Sequence, residues 1–442
     1  MAAHRIRPEN LEERLVFWAL IVTWGLWVLG AMFVVFPLLG WSLAGIAIAR
    51  RIGWLERSPN DHGRPTPVIV SAWLAGMAIM LVALIMGHID YEMGAGQTFK
   101  STLGWVKGWA LLAVFPFAGA MTSIRPAVVY RACNILGLQT LLVTPLLIAG
   151  ALAETPVSLY VSPLHAIIGS EEIFYDVGLF VPDGGMLGFR LRYFAPWSPA
   201  AAFFAVVAFV MALYDKSPIW RWIGIVAAVS MCFFSLSRLS LVAIPAVLIT
   251  IWAVSNMLRP MVLLTVVPLV IVAAILSDPI GQIVLDAEAA FTGARADSSR
   301  VRAIIQNMGL HRWQTEALWF GHAVVERGPH LVEYMPIGSH HTWIGLLFVK
   351  GLIGLLACLI PLVWTMLELA VRSLRDRVGR ATLGLMTVVI LFSFGENLDV
   401  LAYLVWPAFL MLGIAARRRI SFGPVSPRIV AQHLYTAAQA PA

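Results

Sequence analysis

Arginine, histidine and lysine side chains stand beside or inside apolar segments at several places in this sequence. A charged side chain in or beside a membrane is costly, so such residues are candidates for function by default. Five stretches carry them: "GFRLRYFAPWSP" with Arg190 and Arg192, "SLSRLSLVA" with Arg238, "ADSSRVRAIIQN" with Arg300 and Arg302, "SHHTWIGLLFVKGLIGLL" with His340, His341 and Lys350, and "FGENLDVLAY" with Glu396, Asn397 and Asp399.

Together these side-chain types suit a reaction at a phosphate group. Guanidinium groups bind phosphate through paired, charge-assisted hydrogen bonds and stay protonated. Histidine can exchange a proton with a hydroxyl group near neutral pH. Departure of a diphosphate and attack by a hydroxyl, beside an apolar bundle, describe sugar transfer from a lipid diphosphate. The sequence has no Gly-rich phosphate loop and no paired acidic motif for a nucleotide sugar and a metal ion, so no cofactor or metal is expected.

Each of these residues also has a purely structural interpretation. An arginine at the end of a membrane span can extend to the lipid headgroups, and Arg238 is expected in a very tight turn. Lys350 can extend to the membrane surface or pair with Glu396. His341, at a helix start, can donate to a carbonyl. The functional interpretation depends on the expected placement of all these groups on one face.

The elements that must position these groups are membrane helices. Of the 442 residues, 60% are hydrophobic and 12% are charged, and the mean hydropathy is +0.83. A soluble protein carries about twice that charged fraction. Apolar runs of about 17–25 residues recur along the chain, each long enough to cross a bilayer as a helix. The composition therefore predicts an all-α polytopic membrane protein without a cleavable signal peptide and without a nucleic-acid partner.

Twelve membrane spans are predicted in one membrane domain covering residues 1–442. The first two share an apolar stretch that we expect to break at Pro37 and Gly40. Cys133, Cys232 and Cys358 all lie in apolar runs, so neither a disulfide framework nor a metal site is expected among them. The spans are near 15–32, 34–49, 67–88, 102–121, 128–152, 199–214, 219–236, 239–256, 260–276, 342–366, 381–395 and 398–416.

Basic residues predict the orientation of these spans. Clusters at Arg50–Arg51, at 372–380 and at 417–419 favour the cytoplasmic side, whereas most acids fall in segments on the other side. Both termini are then cytoplasmic, with a cytoplasmic tail at 420–442. Two long loops, 153–198 and 277–341, lie outside, and long loops on one face often carry function. His340 and His341 accordingly face outward, which is the periplasm if the source is a Gram-negative bacterium.

The stretch around the two histidines resembles the signature of the O-antigen ligase and O-antigen polymerase superfamily. These are bacterial membrane glycosyltransferases with twelve helices, a GT-C-like architecture and a large periplasmic loop before the tenth helix. Their signature looks like His-Asn-x-x-Leu, then a glycine eleven residues after the His and another three later. Here His340 and His341 stand at the His-Asn positions, Ile344 at the Leu, and Gly351 and Gly354 at the glycines.

Three further motifs are similar in kind and in order, over roughly residues 185–365. "SLSRLSL" resembles the family's Ser-Arg turn, and "RLRYFAPWSPAAA" resembles its arginine before a helix start with Pro-Asn. "SSRVRAIIQN…EALWFGHA" resembles a Gly-Arg segment followed by Pro-x-x-Gly-x-Gly. The sequence departs from the pattern at His341, at Val349, where an acid is common, and at Ser299, which replaces Gly. Of the Gly-x-Gly element only Gly321 is present.

The resemblance implies a role for each matching residue. Arg192 and Arg300 would bind the diphosphate of an undecaprenyl-diphosphate-linked glycan and stabilise the leaving charge. His340 would orient or deprotonate the acceptor hydroxyl, and Arg238 would support the diphosphate site or its turn. The implied reaction is inverting and needs no metal. The remaining charged candidates are expected to contact substrate: Arg190, Arg302, His341, Lys350 and Glu396.

Alternatives of other classes stay open at this point. A twelve-span secondary transporter would show two six-span halves and polar sites at the membrane midplane. A glycan polymerase of the shape and division type has a related helical architecture. Within the preferred family, the acceptor is the lipid A core for a ligase and another lipid-linked glycan for a polymerase, and the sequence does not separate these two.

Overall fold

The computed structural model describes residues 6–56, 65–168, 171–183, 187–260, 262, 264, 296–332, 334–338 and 341–418. Within these residues the secondary structure is mostly α-helix. The helices are α1 (Leu11–Ile21), α2 (Thr23–Val28), α3 (Met32–Arg51), α4 (Val68–Asp90), α5 (Gly94–Lys107), α6 (Leu111–Met121), α7 (Pro126–Leu152), α8 (Leu164–Ile168), α9 (Ser198–Leu213), α10 (Pro218–Ser235), α11 (Arg238–Asn256), α12 (Ala296–Glu316), α13 (Thr342–Ser373), α14 (Arg377–Ser393), α15 (Leu398–Leu401) and α16 (Trp406–Ala416).

Six helices of the described residues are long and apolar enough to cross a membrane: α3, α4, α7, α10, α11 and α13. A seventh span results if α5 and α6, which meet at 41°, are counted as one. The chain is therefore a multi-pass α-helical membrane protein, as its composition predicts. The other predicted spans coincide with shorter helices: α1 with α2, α9, α14, and α15 with α16. The predicted span 260–276 lies outside the described residues, apart from 260, 262 and 264.

The break in the first apolar stretch lies at Gly30, so the predicted break at Pro37 and Gly40 is wrong. Helix α2 ends at Val28, and α3 runs without interruption through both predicted positions. Gly30 has φ +59, and a Cβ there would lie 2.9 Å from the carbonyl oxygen of Tyr175. Glycine is the residue that tolerates this backbone together with so close an approach. Proline inside α3 is accommodated because neighbouring groups in a membrane bundle can satisfy the freed backbone.

Charged pairs hold one end of the bundle, which we call the basic end. Arg131 on α7 donates two hydrogen bonds of 2.9 Å to Asp215, which follows α9, and Asn134 adds a third at 3.0 Å. Arg417 donates to the carbonyl of Thr122, joining the ends of α16 and α6. At the basic end, arginines donate hydrogen bonds to carboxylates or to backbone carbonyls. These arginines are Arg50, Arg125, Arg131, Arg372 and Arg417.

The pair at Asp215 is fully desolvated, because Asp215 is 2% and Arg131 6% exposed. Burial alone would raise the pKa of Asp215. Hydrogen bonds from Arg131, Ser217 and Asn134 outweigh burial and hold the pKa below its ordinary value.

The segment predicted as the loop 153–198 is folded against the bundle. Strands β1 (Tyr160–Val161) and β2 (Asp176–Val177) form one antiparallel pair, and β3 (Phe180–Pro182) and β4 (Phe189–Leu191) form another. Tyr175, Leu191 and Tyr193 are fully buried in the main core. The loop therefore places its charged residues at fixed positions beside α9 and α10.

Close helix packing depends on small residues at α6 and α16. A Cβ at Gly119 would lie 3.0 Å from the backbone nitrogen of Ile414, and one at Gly413 would lie 2.7 Å from that of Ala120. Small residues let membrane helices approach this closely, because association there depends on van der Waals contact. This pair brings the last helix, and the turn before it, into the centre of the bundle.

Candidate functional site

Three segments distant in the sequence meet at the end of the bundle opposite to the basic end. The Thr342 hydroxyl donates to the backbone carbonyl of Glu396 at 2.6 Å and accepts from the Leu398 N–H at 3.1 Å. The Trp197 Nε1–H donates to the Glu396 carboxylate at 2.8 Å. Glu396 therefore joins the start of α13, the turn after α14 and the loop before α9. We call this region the His341 end.

His341 caps α13 at this junction. Its Nδ1 accepts a hydrogen bond of 3.3 Å from the backbone N–H of Ile344, and its ring meets Phe394 edge-on at 5.8 Å. Burial lowers the pKa of His341 below its ordinary value. The neutral ring with its proton on Nε2 satisfies the cap, so His341 acts first as the residue that begins this helix.

Arg192 lies in the loop that carries Trp197 and is 3% exposed. Its Nη1 donates to the Asp176 carboxylate at 2.7 Å, and its Nε–H has no hydrogen-bond partner among the described residues. Arg190 forms its own pair with Asp183 at 3.2 Å, across the β3–β4 hairpin. Arg190 and Arg192 are thus both oriented by carboxylates, and the Nε of Arg192 is buried within the protein.

A small aromatic pocket adjoins these groups. Trp27, Phe174, Phe194, Tyr403 and Asp176 contribute to its lining. Trp27 is only 9% exposed, and its indole N–H has no acceptor in the described part of the chain. The pocket is thus lined by aromatic faces and one carboxylate, and it has room for about one water molecule.

The remaining predicted residues lie on other helices or outside the described part of the chain. Arg238 begins α11 after the left-handed Leu236, at φ +48, so the turn is as tight as predicted. Arg300 is exposed on α12. The side chain of Arg302 and the whole of His340 lie outside the described residues.

Helix α13 is broken at Gly351, where φ is +65° and ψ −167°. The segment 318–323, which follows α12, fills the break. The Leu352 N–H donates to the Leu318 carbonyl at 2.9 Å, and the His322 N–H donates to the Phe348 carbonyl at 2.7 Å. Backbone groups freed inside a membrane helix must find partners within the protein. The break is therefore stabilised by the segment docked into it.

Two of the motif glycines interlock at this break. A Cβ at Gly321, which has φ +68, would lie 2.5 Å from the backbone nitrogen of Lys350. A Cβ at Gly351 would lie 2.5 Å from the backbone nitrogen of Phe320 and still closer to the carbonyl of Trp319. The segment with Gly321 and the helix segment with Gly351, which the sequence analysis treats as separate motifs, therefore pack directly against each other.

Lys350 sits beside the break and is 6% exposed. Its Nζ donates to the carbonyl of Ala323 at 3.3 Å, and it interacts electrostatically with Asp399. Neither predicted arrangement of Lys350, extension to the membrane surface or pairing with Glu396, is the one in the structure. The reason is the docked segment, which supplies a backbone acceptor next to the lysine.

Sequence reasoning missed a buried histidine network at the same place. His322 is fully buried, with Nε2 2.9 Å from the Glu316 carboxylate and its ring stacked on Phe348 at 4.3 Å. Arg312 pairs with Glu316 at 2.8 Å and with Glu326 at 2.5 Å. Hydrogen bonds from Arg312, and then His322, lower the pKa of Glu316 to about 2. A lone histidine in "LWFGHAVV" gives no signal of this network, because the turn 317–322 creates it.

The described residues contain no group of three or more His, Cys, Asp or Glu side chains placed to hold a metal ion. No family model matches the chain, and no curated protein matches it either.

Proposed function

We propose that this protein is a glycosyltransferase that transfers or polymerises an undecaprenyl-diphosphate-linked glycan onto an acceptor hydroxyl. The observation that carries the proposal is the junction at the His341 end. The bond from Trp197 to Glu396 joins segments 199 residues apart in the sequence. It brings the loop of Arg192 to the start of α13, where His340 precedes the capping residue His341. These are the segments whose motifs resemble the O-antigen ligase and polymerase superfamily.

The chemistry follows from the groups at this junction. Asp176 holds the Arg192 guanidinium by Nη1, and the positive charge of this guanidinium stabilises the departing diphosphate. Arg300 supplies a second guanidinium from α12, which packs on α13. His340 accepts the proton of the attacking hydroxyl. The reaction is inverting and needs no metal ion.

The membrane supplies the geometry for both substrates. The polyprenyl chain of the donor stays in the apolar bundle, and the acceptor, lipid A core or lipid-linked glycan, approaches from outside. The basic end then faces the cytoplasm, in line with the positive-inside rule. In this arrangement the protein is a twelve-span protein of the bacterial inner membrane with both termini cytoplasmic and the active site facing the periplasm.

A glycan profile of the source bacterium tests the proposal in cells. Deleting the gene should change surface glycans: a ligase mutant accumulates long chains on undecaprenyl diphosphate, and a polymerase mutant leaves single repeats or none on the acceptor. Arg192→Lys should restore transfer no better than Arg192→Ala, because a point charge cannot replace the guanidinium fork. Arg377→Lys, at an exposed position of the basic end, is the matched control and should restore transfer fully. An unchanged profile in the deletion strain contradicts the proposal.

A variant at the proposed base, His340, tests its role in proton transfer. His340→Ala should lose transfer by about 10²–10⁴-fold, the range for removing a general acid or base. His341→Asn should keep it, because asparagine caps helices well. A fully active His340→Ala, with normal membrane insertion, would move the base to another residue such as Glu396.

A secondary transporter is the second candidate, and the broken helix α13 is the observation that favours it. Transporters bind substrates where membrane helices are discontinuous. Here the break is already occupied by the backbone of 318–323, which leaves its amides and carbonyls bonded within the chain. Because the docked segment 318–323 fills the break, the break favours the glycosyltransferase over a transporter with a substrate site at the membrane midplane. It does not separate the proposal from a shape- and division-type glycan polymerase, for which the acceptor assay decides.

A further inference from the structure

His322 is held between acceptors on both sides of its ring. Nε2 lies 2.9 Å from the Glu316 carboxylate, and Nδ1 lies 3.2 Å from the carbonyl oxygen of Phe348. The ring is fully buried. A carboxylate and a carbonyl can only accept hydrogen bonds, so each ring nitrogen must carry a proton to bond its neighbour.

The two neutral tautomers each leave one repulsive contact. A proton on Nε2 alone turns the Nδ1 lone pair toward the Phe348 carbonyl, and a proton on Nδ1 alone turns the Nε2 lone pair toward Glu316. The doubly protonated ring makes both hydrogen bonds. Because Glu316 remains ionised far below neutral pH, protonation of His322 is the change that completes the contact.

The charged and titratable groups around His322 come from four elements. The end of α4 contributes Tyr91, whose ring centre is 5.5 Å from the His322 ring, and His88. Helix α12 contributes Glu316 and Arg312, strand β5 (Glu326–Arg327) contributes Glu326, and α13 contributes Lys350. Arg312 already pairs with Glu316 and Glu326. The Glu316 carboxylate, which is the one that contacts His322, is therefore shared between Arg312 and the protonated His322.

The position of His322 in the fold gives this contact its consequence. His322 ends the turn that follows α12. Its backbone N–H donates to the carbonyl of Phe348, which lies shortly before the break of α13 at Gly351. The contact thereby links two helices that carry predicted site residues. Helix α12 carries Arg300, and the first half of α13 begins at the cap His341.

We propose that His322 is a positioning residue that, when doubly protonated, fastens the segment 318–323 into the break of α13 and so fixes α12 relative to the first half of α13. Loss of one proton removes one of the two ring hydrogen bonds and loosens the docked segment. The docking strengthens as pH falls and weakens as pH rises. Its consequence for transfer rests on the proposed function, whereas the docking itself does not.

Hydrogen exchange of the full-length protein in lipid nanodiscs tests the docking directly. The amides of His322 and Leu352 bond across the break and report its closure. After correction for intrinsic exchange, their protection in the wild type should be about tenfold higher at about pH 5 than at about pH 9, the loss expected when one ring hydrogen bond is removed. In His322→Gln and in Glu316→Gln, protection should be lower at the acidic end and nearly independent of pH.

Two further histidine variants are matched controls. His311→Gln changes an exposed histidine on α12, and His88→Gln changes a buried one on α4. Both should keep the wild-type pH dependence. The proposal is overturned if His322→Gln keeps that dependence, if the wild type shows none, or if His88→Gln alone abolishes it.

A pH profile of glycan transfer separates the two proposals. If transfer occurs, the wild-type rate should decline as the docking loosens, and His322→Gln should flatten that profile. If no transfer is found with any variant, the proposed function fails while the exchange data still decide the role of His322.

Discussion

Replacing Gly351 by alanine should destabilise the protein through the break in α13. The backbone at φ +65° and ψ −167° belongs to a region that is essentially restricted to glycine, and such strain costs about 1–3 kcal/mol. The new Cβ would also overlap the backbone of Trp319 and Phe320, and overpacking of this kind costs about 1–3 kcal/mol. The two effects together lower the free energy of unfolding by about 2–6 kcal/mol.

Thermal unfolding of the purified protein in detergent measures this loss. Gly45→Ala, at an exposed helical position with open space around the new methyl group, is the matched control. It should be neutral or stabilise by about 0.5–1 kcal/mol. Since about 1 kcal/mol shifts Tm by about 1 °C in a chain of 442 residues, the two variants should differ by at least about 2 °C. Equal melting temperatures for Gly351→Ala and Gly45→Ala would refute the interlock.

Three other outcomes follow from the structure. His341→Ala should cost about 1 kcal/mol of stability and His341→Asn almost nothing. Because the pKa of His341 is lowered in the folded protein, the cap is fully present above the ordinary histidine pKa near 6.5 and is lost as pH falls through the lower folded pKa. On acidification the Tm of the wild type should therefore fall relative to that of His341→Asn. Asp215→Ala should cost about 3–5 kcal/mol by leaving the Arg131 charge buried, and adding Arg131→Met should recover part of that loss in the same melting assay. An impermeant thiol reagent should label Thr315→Cys but not Trp54→Cys in intact spheroplasts. Background labelling should be low because the native cysteines are buried. The reverse labelling pattern would invert the proposed orientation.

The apolar helices could be predicted from the sequence because a membrane span depends mainly on local composition. Their interruptions could not. Gly30 breaks the first stretch because Tyr175, far along the chain, lies against it. Gly351 breaks α13 because the segment 318–323 supplies partners for the freed backbone. Pro37 resembles a breaker in the sequence, but the bundle around it keeps the helix intact.

The candidate site shows the same division. Arg192 and Glu396 stand out as charges beside apolar runs, and that signal is local. Their partners Asp176 and Trp197 are ordinary residues until the fold brings them within hydrogen-bond distance. His322 is the extreme case, since its role is created by a turn and by a helix break that no local pattern indicates.

Transfer by the purified protein tests the central proposal most directly. The protein in nanodiscs is mixed with an undecaprenyl-diphosphate-linked glycan and, in separate reactions, with lipid A core or a second lipid-linked glycan, and the products are followed by mass spectrometry and NMR. We expect one elongated acceptor for each undecaprenyl diphosphate released, with inversion at the anomeric carbon, no need for added metal ions, and loss of product in Arg192→Ala. A folded wild-type protein that leaves the donor unchanged with every acceptor would contradict the account.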